Sequence, residues 1–332
     1  MTSMQTAIEG GPGAPLQRER TRPLLARVPD TAPLVLLLIA MGVFFTIRSP
    51  FFLNYDNFLN ILTAAAIAGI VAAPATLLLV AGQFDLSVGS GLTFCGVVLA
   101  YVAERESLLT AVLVAIAAGM ALGAINGFIV TAVGVNPLIT TLGTLAAFAG
   151  LARVIADGQT ITVTHFDGLG TARPFLDIPL PVIVVVAVML AFALLMRQTT
   201  FGRAMYAIGA NPVAARLVGI RTGRLVFAGF FLSGLCVALA ALINTSQLGA
   251  ASTNAGTGLE LSVVTAVVLG GASLAGGRGT IVGTVFGLLV IAVLNNGLTL
   301  LNVNSFWQDV ARGTLLILAV SFDQLRLRVM QR

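Results

Sequence analysis

The sequence predicts an all-α polytopic membrane protein with about ten transmembrane helices, built as an inverted repeat of five plus five and containing broken or shortened helices. Three observations carry this expectation. Of 332 residues, 58% are hydrophobic and 9% charged, against roughly 45–50% and 25% in soluble domains. Apolar runs of the roughly 20 residues that cross a hydrocarbon core recur along nearly the whole chain. Short motifs also recur in order: "DLSV" at 85–88 returns as "ELSV" at 260–263, "NG" at 126–127 returns at 296–297, and "GTL" at 143–145 returns at 313–315, at separations of 175, 170 and 170 residues.

Residues 1–30 are polar, carry the turn-forming "GGPGAP" and four arginines, and read as a disordered cytosolic tail. A membrane domain is expected over 31–325, followed by a short cytosolic tail at 326–332. Its spans fall near 32–47, 57–81, 88–103, 108–133, 138–155, 179–196, 224–244, 260–274, 280–301 and 307–322. The runs are continuous rather than alternating, which favours helices over a β-barrel. The first run is followed by "RSPFF" without a small-residue cleavage site, so it reads as an uncleaved helix rather than a signal peptide.

All 18 basic residues are arginine. With ten spans both termini share one side. That side holds Arg18, Arg20, Arg22 and Arg27, the five arginines of the 197–224 connection, Arg278 and the tail arginines 326, 328 and 332, leaving five opposite. The positive-inside rule makes it cytoplasmic. No basic-aromatic patch points to nucleic acid. Cys95 and Cys236 lie alone in apolar runs and read as small buried thiols.

Pro74, Pro137, the glycines of "GQFDLSVG" and the stretch "LGGASLAGGRG" are expected to break or shorten helices. A membrane tolerates such breaks only where protein or a water-filled cavity covers the freed backbone, and transporters use them at their pathways. "GMALG" at 119–123 and "GTVFG" at 283–287 read instead as close-packing surfaces. A shift of five helices gives the two copies of the repeat opposite orientation. Asp85 and Glu260 become counterparts, each just before an apolar helix. Two roles are open to them: capping a helix N-terminus, where a carboxylate meets unpaired amides and the positive end of the dipole, or meeting cargo during gating.

The connection 197–224 carries Arg197, Arg203, Arg216, Arg221 and Arg224. Asn211 suits a cap, Pro212 the first helical position and Gly219 a stop, so a short amphipathic helix is expected outside the membrane. Its two readings are a positive loop held by inner-leaflet phosphates and a docking element for a cytosolic partner. "GRAMYAIGANPVAARLVGI", "GQFDLSVGS", "NPLITTLGTL" and "ELSVVTAVVLGGASLAGGRGTIVGT" resemble the membrane permease subunit of ribose/galactose/xylose-type ABC sugar importers, over roughly residues 50–322. The resemblance implies an inner-membrane permease that dimerises, receives sugar from an extracytoplasmic binding protein, and is driven by cytosolic subunits that hydrolyse ATP with Mg²⁺. It makes Asn211, Ala214, Ala215, Arg216, Gly219 and Ile220 the helix that couples to those subunits.

A nucleotide-binding P-loop needs a lysine, and the chain has none, so no cofactor is expected on it and no ATPase activity of its own. His165 is the only histidine. No metal site or catalytic triad is expected. The segment 156–178, the longest expected outside, is a landing surface for a binding protein. A neutral sugar calls for amides and hydroxyls, and Asn126, Asn136, Thr140, Thr141, Thr144, Asn295, Asn296 and Asn302 are the pathway candidates; hydrogen bonding between helices is their alternative role. An ion-coupled secondary transporter is the competing reading, since inverted repeats and broken helices serve both classes.

Overall fold

The computed structural model describes residues 32–164, 166 and 168–330, with side chains to 321. The expected N-terminal tail, His165 and residues 331–332 lie outside the described residues.

Six helices are long and apolar enough to cross a membrane: α2 (Tyr55–Val80), α4 with its continuation (Leu108–Val133), α5 (Pro137–Ile155), α7 (Leu180–Gln198), α10 (Thr222–Leu248) and α12 (Ile281–Leu300). Shorter apolar helices are α1 (Ala32–Arg48), α3 (Val88–Ala103) and α11 (Leu259–Leu269), and α13 runs Ser305–Met330. Each expected span is met by a helix, though α13 continues through residues assigned to a tail. Smaller elements are α6 (Gly168–Thr171), α8 (Thr200–Ala210), α9 (Pro212–Leu217), and strands β1 (Ile161–Thr162) and β2 (Ala250–Ala251), which pair antiparallel.

The helix breaks follow the chemistry of their residues unevenly. Gly82, at φ +72°, ends α2, and Gly271, at φ +90°, lies beyond the end of α11. The eighth expected span therefore stops at Leu269 rather than 274. Pro137 opens α5 at its first turn, where its missing N–H costs nothing. Pro74 is a correction: α2 runs through it unbroken, with Ala72, Ala73, Thr76 and Leu77 fully buried around it, so neighbouring helices hold a backbone that isolated proline physics would break. The sequence also gave no warning of the π turn at Ile129–Val133 that closes α4 and ends at Gly134, φ +83°.

Packing joins α3 with α4 and α5, and α11 with α12 and α13. The two central helices cross over: α10 packs on α3 and α4, α2 packs on α11 and α12, and the two pack on each other. Contact without bulky side chains allows this. A Cβ at Gly123 would strike the Phe230 carbonyl, and one at Gly234 would strike the Gly119 carbonyl, closing α4 against α10. Gly283 and Gly287 do the same against Gly270 and Ala266 of α11. Both GxxxG-type segments are thus packing surfaces, as expected.

Candidate functional site

At about 1.5 Å per residue, α3 is about 24 Å long and α11 about 16 Å, both shorter than a bilayer core of about 30 Å. Their N-terminal ends meet inside the bundle. The Thr93 hydroxyl accepts the Gly256 N–H at 3.0 Å and donates to the Gly89 carbonyl at 3.2 Å. A Cβ at Gly89 would collide with the Gly256 carbonyl and the Glu260 carboxylate, so the two turns touch because both positions lack side chains.

Asp85 and Glu260 flank this meeting point differently. Asp85 Oδ1 accepts the Ser87 N–H at 3.1 Å and the Ser87 hydroxyl at 2.7 Å, while Oδ2 accepts the Ser233 hydroxyl of α10 at 2.9 Å. The Ser87 oxygen in turn accepts from Asn126 Nδ2 of α4 at 2.8 Å. Asp85 therefore ties three elements together rather than only capping α3. The space left here is about 10 Å³, room for about one water, and the buried Asn126 Oδ1 faces no partner. Glu260 is half-buried, and its Oε1 accepts only the Gly258 N–H, at 3.3 Å.

Beside Glu260 a cavity of about 490 Å³ opens between α2, α10, α11, α12 and α13. Asn60, Asn244, Ser262, Asn295, Asn296 and Arg312 give its polar character. Its lining sits near the start of α2 and α13 and the end of α10 and α12, the end of the bundle that also carries β1 and β2. Asn296 exchanges two hydrogen bonds with Asn57, at 2.8 and 3.1 Å. Arg312 donates to the Ser262 hydroxyl at 3.2 Å and pairs with Asp309 at 3.1 Å, with its Nε unpartnered. It is the one charged residue in the lining.

Of the eight pathway candidates only Asn295 and Asn296 reach this cavity; Thr141 is buried in α5, donating to the Pro137 carbonyl at 2.9 Å, and Asn302 lies past the end of α12 at φ +57°. Asn126 belongs to the Asp85 junction. Asn136 caps α5, accepting the Leu138 N–H at 2.9 Å. Thr140 and Thr144 are buried in α5, and Thr144 donates to the Thr141 carbonyl. Asn60, Asn244, Ser262 and Arg312 were missed. They are scattered over four helices, Asn244 at the head of the polar run "NTSQ" and Asn60 and Ser262 close to other polar residues, and only the tertiary packing shows that they converge; Arg312, the one cation in the last expected span, was the available signal.

At the other end, α9 has the expected build. Asn211 accepts the N–H groups of Val213 and Ala214, both at 3.0 Å, Pro212 opens the helix, and Gly219 follows it at φ +85°. Ala215 points inward at 3% exposure, whereas Val213, Leu217 and Val218 are 63%, 83% and 76% exposed. Behind it α8 packs on the end of α2, where Gly209 lies against the Val80 carbonyl, and the turn at 277–279 bonds to both: the Tyr206 hydroxyl donates to the Gly279 carbonyl at 2.6 Å, and the Gly277 N–H donates to the Val80 carbonyl at 2.8 Å. Burial pushes the Tyr206 phenol above its ordinary pKa, which keeps it a donor. Among the described residues no group of histidine, cysteine or carboxylate side chains is arranged to hold a metal.

Residues 57–320 match the family described as "Branched-chain amino acid transport system / permease component". The chain belongs to this family. Similar proteins include the ribose import permease RbsC of Escherichia coli, 38% identical over 297 residues covering 87% of this chain and 92% of that one. RbsC of Bacillus subtilis is 39% identical over 296 residues, 86% of this chain and 90% of that one. The L-arabinose transport system permease AraH of Escherichia coli is 36% identical over 327 residues, 98% and 97% of the two chains. No solved structure matches the chain. The permease is thus a multi-pass membrane protein of the importer class, and nothing in these matches supports the ion-coupled alternative.

Proposed function

We propose that this chain is the membrane subunit of an ABC importer for a monosaccharide or a similar small polyol. The observation that carries the reading is the 490 Å³ cavity lined by amides, hydroxyls and one guanidinium. It lies within the range of small-molecule sites, about 300–1,000 Å³, and its neutral hydrogen-bonding groups suit a polyhydroxylated cargo. The relatives named for ribose and arabinose support the same class.

We infer ten spans in two inverted sets of five, with both termini and α9 in the cytoplasm of the inner membrane; the arginine distribution supports this orientation. The exchanged packing of α2 and α10 supports the repeat, because each half lends one helix to the other in the same manner. The cavity then opens to the outer side. There the segment 156–178, joined through β1 to β2 just after α10 and to α10 itself by the Gly170 N–H donating to the Ser246 hydroxyl at 2.8 Å, receives the binding protein. A second copy of the chain or a close homologue completes the permease. ATP with Mg²⁺ is bound and hydrolysed by partner subunits, and this chain carries no cofactor.

Coupling centres on Val213, Leu217 and Val218, exposed on a capped helix, together with Ala214, Arg216 and Gly219; Asn211, Ala215 and Ile220 shape that helix from behind. The test is co-purification from mild detergent of wild type and a Val213→Glu/Leu217→Glu variant. An ATPase subunit recovered with wild type and lost with the variant is the expected result. Equal recovery with both, or recovery with neither from a folded chain, overturns the reading.

A further inference from the structure

A groove of about 660 Å³ lies between α8, the turn after α9 and the first turns of α10. Phe201, Ala204, Ile220 and Leu225 give it an apolar floor, and Arg203 and Arg221 stand exposed at its rim. Arg203 has only a long bond to the Gln198 carbonyl, 3.4 Å. Among the described residues no carboxylate lies within ion-pairing distance of either arginine. The groove sits where α7 ends at Gln198 and α10 begins at Thr222, the level at which two membrane-crossing helices leave the hydrocarbon.

We propose that this groove binds one anionic phospholipid, its phosphate held by Arg203 and Arg221 and the start of an acyl chain laid on the apolar floor. Two guanidinium groups match a phosphate diester in charge and planar donor geometry, and basic pockets between spans at the headgroup level favour anionic lipid. The floor selects a lipid over a soluble anion, because an inorganic phosphate would leave that apolar surface wet. Val213, Leu217 and Val218 do not line the groove, so the bound lipid leaves those exposed side chains free for a partner, and the two surfaces adjoin at Gly219, which lines the groove. The lipid seats the base of α9 while its tip stays free.

Native mass spectrometry of the full chain, exchanged from micelles doped equally with phosphatidylglycerol and phosphatidylcholine, tests this. Wild type is expected to retain one phosphatidylglycerol more than tenfold over phosphatidylcholine, at roughly fivefold for each of the two arginines. Arg203→Gln/Arg221→Gln is expected to lower that preference by an order of magnitude or more, at roughly fivefold per arginine. Both residues are exposed, which leaves the fold unaffected. Arg216→Gln, equally exposed but outside the groove, is expected to change nothing, and Ala204→Trp, which fills the floor and keeps both charges, to lose the lipid. Equal retention of the two lipids by wild type overturns the proposal. So does the same loss in Arg216→Gln, or retention by Ala204→Trp, since either reduces the effect to general surface charge.

Discussion

"DLSV" and "ELSV" bring nearly the same residues into opposite surroundings. Around Asp85 the glycine seam of α4 and α10 draws the helices together, and the Ser87 N–H and the Ser87 and Ser233 hydroxyls are turned onto the carboxylate, leaving space for about one water. Around Glu260 the glycine seam lies at the far end of α11 and α12, from Ala266 to Gly287, and the near end stands apart over a 490 Å³ cavity. The position of the seam relative to the carboxylate decides whether a copy of the motif becomes a rivet or a chamber.

The largest effect expected from breaking this contrast is at Gly123. Gly123→Leu drives a side chain into the Phe230 carbonyl. Overpacking costs about 1–3 kcal/mol where a core can shift, and more against backbone, so loss of monodisperse protein by size-exclusion chromatography is expected. Ala64→Leu, a comparable enlargement inside the cavity, is expected to leave elution unchanged and to lower binding-protein-dependent uptake at least tenfold. Asp85→Leu comes next. It removes the acceptor of three hydrogen bonds, leaving buried Ser87 and Ser233 hydroxyls to find other partners, and about 3 kcal/mol of stability is expected to go. Asp85→Asn is expected to lose about half as much, and Glu260→Gln, with one long bond, less than about 1 kcal/mol; thermal unfolding in detergent ranks the three.

A smaller effect is expected in the chamber itself. Arg312→Met removes the lining's only charge and its bond to Ser262, and KM for uptake is expected to rise about tenfold, the scale of a hydrogen bond to a charged group. The smallest is Asn136→Ala, expected to lower stability by about 1 kcal/mol as a lost helix cap without altering KM. A KM change there would return Asn136 to the cargo path.

Helix positions were legible to within a few residues because long apolar runs leave few alternatives in lipid, and α9 was legible because Asn211, Pro212 and Gly219 each act locally. What depends on neighbours was not. Pro74 remains helical because α10, α11 and α12 enclose α2. Ala215 turns inward because a six-residue helix has one buried side, which its sequence does not mark. Asn60, Asn244 and Arg312 lie far apart along the chain and meet only through helix exchange. Asp85 stood out in the sequence as a lone charge, but its partner Ser233 is 148 residues away.

The exchange of α2 and α10 also sets a schedule for synthesis. Helix α2 ends at Val80 and its partner α11 begins at Leu259, about 180 residues and, at a ribosome's usual pace, on the order of 10–40 s later. During that interval a helix destined for the centre of the protein has lipid or an insertion chaperone where its later neighbours belong. Slowing or truncating translation between α5 and α10 strands it there, so nascent chains arrested in that window are the ones most exposed to degradation.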